Sequence, residues 1–223
     1  MRISNNTLAI LNNFATINSN ILVRPGNILR TISVSGEVHA MAKISENFET
    51  EFAIYDLSEF LKGLRLYDNP ELDFSEGPSY VLIKQGSHTI KYFLTEPDLV
   101  LAPEDRNIRL PSKDVVFELK SENFEKLIKA SNVYGLSDFT VLGKNGTITL
   151  QVRNKMNPTS NQVSIDVGDT KDEFELNYDK NNLMMIEGSY DVEISKEMIS
   201  KFTNQDFELT YFVGLSSDSY FNH

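Results

Sequence analysis

The chain contains no cysteine. That absence excludes disulfides, thiolate metal sites and cysteine nucleophiles together. Histidine is scarce: His39, His88 and His223 are scattered, and none has a second histidine or an acid at a metal-ligand spacing. No apolar run approaches the roughly 20 residues that a membrane helix needs, so no membrane contact is expected. The opening MRISNNTLAILNNF is interrupted by asparagines and lacks a small-residue cleavage site. No export signal is therefore expected, and the expected compartment is the cytoplasm. Positive charge is also short: 21 Lys and Arg against 32 Asp and Glu leave a formal −11. Such a molecule is repelled by nucleic acid that approaches its outer surface. The objection is weaker for a protein that surrounds its ligand and keeps its acids elsewhere.

Catalytic signatures are missing as well. Gly143-Lys144-Asn145-Gly146 has a lysine between glycines but reads better as a hairpin tip than as a phosphate cradle. No Gly-x-Ser-x-Gly elbow occurs. Carboxylates are plentiful, yet no motif concentrates a pair as a hydrolase would need. The expectation is no enzyme, no cofactor and no metal.

What is present is mostly short strands and turns. The 223 residues, 40% hydrophobic and 24% charged, suffice for one large domain or two of about half that length. Runs rich in β-branched and aromatic residues are Ile28–Val34, Ser79–Lys84, His88–Leu94, Phe139–Leu142, Thr147–Val152, Gln162–Val167 and Phe207–Val213. Turn signals separate them, among them Pro25-Gly26, Ser35-Gly36, Glu76-Gly77-Pro78, Asn145-Gly146 and Asn157-Pro158. The clearest hairpin is DFTVLGKNGTITLQV.

Four segments carry helical spacing. Ser4–Asn18 places Leu8, Leu11, Phe14, Ala15 and Ile17 on one side, with Asn5, Asn12, Asn13 and Thr16 opposite. A second opens with Asp56 and Glu59 in a capping-box pattern and carries Leu57, Phe60, Leu61 and Leu64. The third has Ser121 as expected cap, Glu122 and Glu125 in its first turn, and Phe124, Leu127 and Ile128 on one face. The fourth is short, with Asp179 as cap, Leu183 and Met184 as expected buried positions and Gly188 as terminator.

These segments fall into two matching halves. FAIYDLSEFLKGL at 52–64 and FELNYDKNNLMMI at 174–186 both open on Phe and enter through a Tyr-Asp pair. The two Tyr-Asp pairs lie 123 residues apart and the long-helix caps 117 apart, which points to an internal duplication. Between the halves, residues 100–114 carry two prolines and read as an exposed connector. The expected organisation is an α+β chain: an N-terminal domain over 1–99, the connector, and a C-terminal domain over 115–223. The helices carry Lys62 and Arg65, Lys126 and Lys129, and Lys180, five basic residues against six acidic ones, so −10 of the −11 lies elsewhere. Their acids gather near the caps, which is expected to leave the mid-helix faces neutral or positive.

NNFATINSNIL at 12–22 and FAIYDLSEFLKGL at 52–64 resemble segments of the DNA polymerase sliding clamps of T-even-type bacteriophages. The resemblance continues more loosely through Ala102-Pro103 and the third helix to the strand-rich end. That family is similar to the proliferating cell nuclear antigen. The resemblance implies a DNA-clamp fold of two pseudo-symmetric domains, with antiparallel sheets outside and two helices per domain on an inner face. It implies a homotrimeric ring around duplex DNA, opened by an ATP-dependent clamp loader, that tethers a replicative polymerase through its C-terminal peptide and assists late transcription. Carried onto this sequence, the DNA-facing candidates are Asn12, Asn13, Lys62, Arg65, Lys126, Lys129 and Lys180. The partner-peptide pocket falls at Val100, Leu101, Ala102 and Pro103, beside the last strand. Edge pairing between His88–Leu94 of one subunit and Asn161–Val167 of the next is the expected ring contact. The competing readings are a strand-rich phage structural or adaptor protein that encircles nothing, and a hydrolase with an unrecognised carboxylate pair.

Overall fold

The computed structural model describes residues 1–157 and 159–222. Pro158 of the expected Asn157-Pro158 turn, and His223, lie outside the described residues. The chain folds as two units, Met1–Asp105 with Phe207–Leu209, and Arg106–Asp206 with Thr210–His223. The passage from one to the other falls inside the segment read as a connector.

In the first unit the elements run α1 (Asn5–Ile17), β1 (Ile21–Val23), β2 (Gly26–Ile32), β3 (Val38–Phe48), β4 (Phe52–Ile54), α2 (Leu57–Leu64), β5 (Glu71–Asp73), β6 (Tyr80–Gln85) and β7 (His88–Phe93). All ladders here are antiparallel: β1 with β4, β2 with β3, and the three-stranded meander β5-β6-β7. Helix α1 buries Thr7, Ile10, Leu11 and Phe14, and α2 buries Leu57, Phe60, Leu61 and Leu64. The α2 stripe is the i, i+3, i+4, i+7 set of its sequence, so the helix is specified by its own spacing. Leu11, Leu29, Phe48, Phe60 and Leu72, from five different elements, meet in the core. Residues 207–209 fold with this unit, where Glu208 O accepts the Lys43 N–H at 2.8 Å.

Strand β3 is the longest among the described residues and was not among the expected runs. Its inward positions are Val38, Ala40, Ala42, Ile44, Glu46 and Phe48. Two alanines and a glutamate stand where large apolar residues would announce a strand, so the period of two is masked. Val34, expected in a strand, is instead 84% exposed in the turn after β2.

The second unit runs β8 (Val115–Leu119), α3 (Ser121–Tyr134), β9 (Asp138–Lys144), β10 (Thr147–Arg153), β11 (Val163–Asp169), β12 (Glu173–Asp179), β13 (Tyr190–Ser195), β14 (Ile199–Asn204), β15 (Leu209–Gly214) and β16 (Tyr220–Asn222). One antiparallel sheet has the order β11-β10-β9-β12-β16, and β8, β13, β14 and β15 form successive antiparallel ladders in another. The β9–β10 hairpin turns through Asn145 and Gly146, at φ of 53° and 86°. Lys144 already pairs with Thr147, so the turn is the two-residue type that Asn-Gly favours. Phe124 of α3 packs edge-on against Phe139 and Tyr190, and Phe202 stands edge-on to Tyr178 and Tyr190. These rings tie α3 to both sheets of the unit.

The fourth expected helix is not an α-helix. Lys180–Leu183 makes a single 3-10 turn, capped as expected by Asp179, whose side chain accepts the Asn181 N–H. Only Leu183 is buried there, while Met184 is 46% exposed. Asn181 and Asn182 are weak helix formers, and LMMI offers three consecutive apolar residues after Leu183 rather than a stripe. Nothing therefore drives a second turn.

Candidate nucleic-acid interface

Helix α1 contains no charged residue. Its start is fixed twice. Ser4 caps it by accepting the Thr7 N–H, and the buried Glu46 of β3 accepts from Ser4 N and from Thr7 Oγ1. Burial alone would raise the Glu46 carboxyl, but the hydrogen bonds from Thr7 and Ser4 outweigh it and hold the group below its ordinary value. Further along, Thr16 Oγ1 donates to Asn13 O at 2.7 Å, and Asn12 Nδ2 donates to Leu8 O at 2.6 Å. The other atom of that amide, Asn12 Oδ1, accepts from Arg65 Nη2 at the end of α2. Lys62 is exposed one turn earlier and makes no ion pair among the described residues.

In the second unit α3 is built differently. Its N-cap is Lys120, with no side-chain cap, and the expected cap Ser121 is already helical. The Ser121 N–H is satisfied from outside by Ser189 Oγ at 3.1 Å. Gly135, left-handed at φ 63°, closes the helix. Of the expected neutral or positive mid-helix faces, α3 shows the neutral kind. Lys126 lies 3.8 Å from Glu122 and Lys129 lies 3.0 Å from Glu125, each one turn back on the same helix. The Lys129 ammonium beside it holds the Glu125 carboxyl below its ordinary value. Lys180 Nζ donates to Asn132 Oδ1 at 3.1 Å. Lys129 and Lys180 both line a groove of about 460 Å³ floored by Phe124, Ile128, Leu183 and Met185.

Of the DNA-facing candidates, the fold thus joins Asn12 to Arg65 and brings Lys129 and Lys180 to one groove. Asn13 is half-buried, and Lys62 and Lys126 are exposed on their helices. Asn132 was missed, and the duplication gives no signal for it: at the 117-residue spacing of the long-helix caps its counterpart is Ala15, and that of Asn12 is Lys129. Glu46 was missed because nothing local to β3 announces it.

The connector segment is fastened rather than loose. The Leu101 N–H donates to Asn20 Oδ1 at 3.0 Å, and Leu101 O accepts from Asn18 Nδ2 at 3.1 Å. Arg24 Nη2 donates to Pro103 O at 3.1 Å, and Arg30 Nη1 meets Asp105 Oδ1 at 2.9 Å. With its backbone held on both sides, Leu101 leaves its side chain 43% exposed, and Leu99 is 64% exposed. Val100, Ala102 and Pro103 are half-buried. Among the described residues, no three His, Asp or Glu side chains gather in a way that could hold a metal ion. No described helix is long and apolar enough to cross a membrane.

Comparison with known proteins agrees with this architecture. Residues 4–97 match the family described as DNA polymerase processivity factor, and residues 116–217 match the gp45 sliding clamp, C terminal. The sliding clamp of Vibrio phage KVP40 is 32% identical over 220 residues, covering 96% of this chain and 98% of that protein. The sliding clamp of Enterobacteria phage T4 is 32% identical over 228 residues, covering 98% of each. In fold, the chain is similar to the proliferating cell nuclear antigen of A. fulgidus, solved with the C-terminal region of FEN-1. That likeness has a TM-score of 0.69 at 12% identity and covers 95% of both chains. By its full-length similarity to two phage clamps and the matches in both halves, the chain belongs to the sliding-clamp family of DNA polymerase processivity factors.

Proposed function

We propose that this sliding clamp closes as a homotrimeric ring around duplex DNA and holds a replicative polymerase on its template. The observation that carries the ring is the state of two strands. No residue of β7 or of β11 is buried, and each is the outermost strand of its sheet. Exposed edges of six and seven residues are pairing sites unless something covers them. One lies in the first unit and the other in the second, so pairing β7 of one copy with β11 of the next is a head-to-tail contact. Repeated, such a contact closes into a ring when the rotation permits. The charges favour the hetero-pair: β7 carries Lys91, whereas β11 carries Asp166 and Asp169.

The ring works by topology. A closed circle cannot leave DNA sideways, so the residence time is set by opening, and the wall needs only weak, sequence-blind contacts. Asn12, Asn13, Lys62, Arg65, Lys126, Lys129 and Lys180 are the wall candidates. The negative charge elsewhere disfavours outer-surface binding. The chain itself performs no chemistry, and an ATP-dependent loader opens the ring in the cytoplasm of the infected host. The polymerase's C-terminal peptide docks beside Val100, Leu101, Ala102 and Pro103, where Leu99 and Leu101 offer exposed apolar side chains on a fixed backbone. A role in late transcription would use the same docking surface.

Light scattering across a dilution series tests the assembly. A species near three times 25.3 kDa that dissociates reversibly is expected. A monomer at every concentration would remove the ring and leave the adaptor reading in front.

A further inference from the structure

Two cations of the candidate wall are gripped by a helical asparagine rather than by an acid. Arg65 Nη2 donates to Asn12 Oδ1, and Lys180 Nζ donates to Asn132 Oδ1 at 3.1 Å. The two grips are not at corresponding places of the duplicated pattern: Arg65 ends α2, whereas Lys180 follows directly on the cap Asp179. In the first unit the amide is itself aimed. Asn12 Nδ2 is engaged by Leu8 O, which leaves Oδ1 for the guanidinium. A carboxamide oxygen orients a cation without cancelling its charge, whereas a carboxylate does both. Lys126 and Lys129 are in the second situation, with Glu122 and Glu125 at 3.8 and 3.0 Å. At a distance each of those pairs is a small dipole, while Arg65 and Lys180 still present a net charge.

We propose that the contacts tracking DNA phosphate are the amide-held cations Arg65 and Lys180, with Asn12 and Asn132 as their positioning residues. Glu122 and Glu125 keep Lys126 and Lys129 out of that work. The assignment deepens the encirclement reading and rests on it. It also has a physical rationale. A free Arg or Lys side chain gives up about 2 kcal/mol of rotamer entropy when it is fixed, and a pre-oriented one gives up less at every phosphate it meets. One oriented cation per unit, beside an exposed Lys62 that no side chain orients among the described residues and with α1 supplying no charge, allows contacts that form and release quickly.

The test threads the whole protein onto a linear duplex whose biotinylated ends are then blocked with streptavidin. Retention is scored before and after a restriction cut, and affinity for a short unblocked duplex is measured by anisotropy across a salt series. Each phosphate contact contributes roughly 0.9 to the slope of log affinity against log salt. Arg65→Gln and Lys180→Gln should flatten that slope by about one per contact engaged. Asn12→Asp and Asn132→Asp, which keep the hydrogen bond but neutralise the cation, should flatten it equally without lowering Tm. Asn12→Gln, which keeps an amide, should stay near the parent. Glu125→Gln, by freeing Lys129, should steepen the slope. Asp variants with the parental slope, or Lys126→Gln and Lys129→Gln flattening it as much as Arg65→Gln, would overturn the assignment while retention on blocked DNA left encirclement standing. A parent protein that slips off blocked duplexes would take both readings down.

Discussion

The first unit fastens the start of its long helix with a strand, through the buried Glu46 of β3, and the second fastens its own with a hydroxyl from Ser189. The shorter helical segments differ as well. In the first unit it is a two-turn helix carrying a complete apolar stripe; in the second it is one 3-10 turn beside an open groove. The paired Tyr-Asp entries diverge too. Asp56 and Asp179 each cap the helical turn immediately after them, yet Tyr55 is 66% exposed while Tyr178 is buried among aromatic rings. A duplicated pattern therefore preserves the order of elements and the capping positions. The residues that stabilise each copy are free to differ, because a helix end needs only some acceptor for its first N–H groups.

The largest test of this contrast removes each helix's anchor. Phe14→Ala should cost about 3–5 kcal/mol and Leu127→Ala about 2–5 kcal/mol, since both side chains are fully buried. Hydrogen exchange resolved by segment should show each loss concentrated in its own unit; equal loss of protection in both would break the comparison.

Next comes Glu46→Gln, expected to cost roughly 1–3 kcal/mol through the disrupted acceptor. Its pH dependence is more telling. The folded-state carboxyl titrates below its ordinary 4.5, so the folded form binds a proton less readily than the unfolded chain. The stabilisation is complete above pH 4.5 and is lost as pH falls through the lower folded-state value. Parent and variant should thus converge on acidification, in urea melts recorded at neutral pH and again in acid. A gap that stays constant would mean the carboxylate charge is not what holds α1.

Ser189→Ala, the counterpart in the second unit, should cost about 0.5–1.5 kcal/mol with no such acid dependence. Smallest of all, Glu122→Gln should leave Tm within error of the parent, because the Glu122–Lys126 pair is exposed on both sides. A clear drop there would make the pair structural and weaken its role as a charge filter.

Much of the molecule was legible from local pattern. The α2 stripe, the Asp56 and Asp179 caps, the Asn145-Gly146 hairpin and the clamp-like segments at 12–22 and 52–64 all depend on residues within a few positions of one another. The errors have the same origin. Met184 looked buried because apolar residues usually are, but a 3-10 turn has no stripe to place it on. Ser121 looked like a cap because Ser often is one, but Lys120 holds the extended backbone there, at ψ 140°. The charge of the α3 face stays open between neutral and positive in the sequence, because its acids read as cap residues rather than as partners four positions away.

The sequence alone determined the strand-rich α+β character, the two halves and the family, because periodicity, turn chemistry and family-like segments need no knowledge of contacts. Tertiary structure alone decided which polar groups meet. Thr7 finds Glu46 across 39 residues, Lys180 finds Asn132 across 48, Asn12 finds Arg65 across 53, and Asn18 finds Leu101 across 83. At such separations the chain's local preferences carry no information about the partner. For Thr7 and Asn18, burial makes an unpaired donor or acceptor costly enough that the fold must supply a partner, whereas the Arg65–Asn12 and Lys180–Asn132 pairs are exposed and follow from which elements lie side by side.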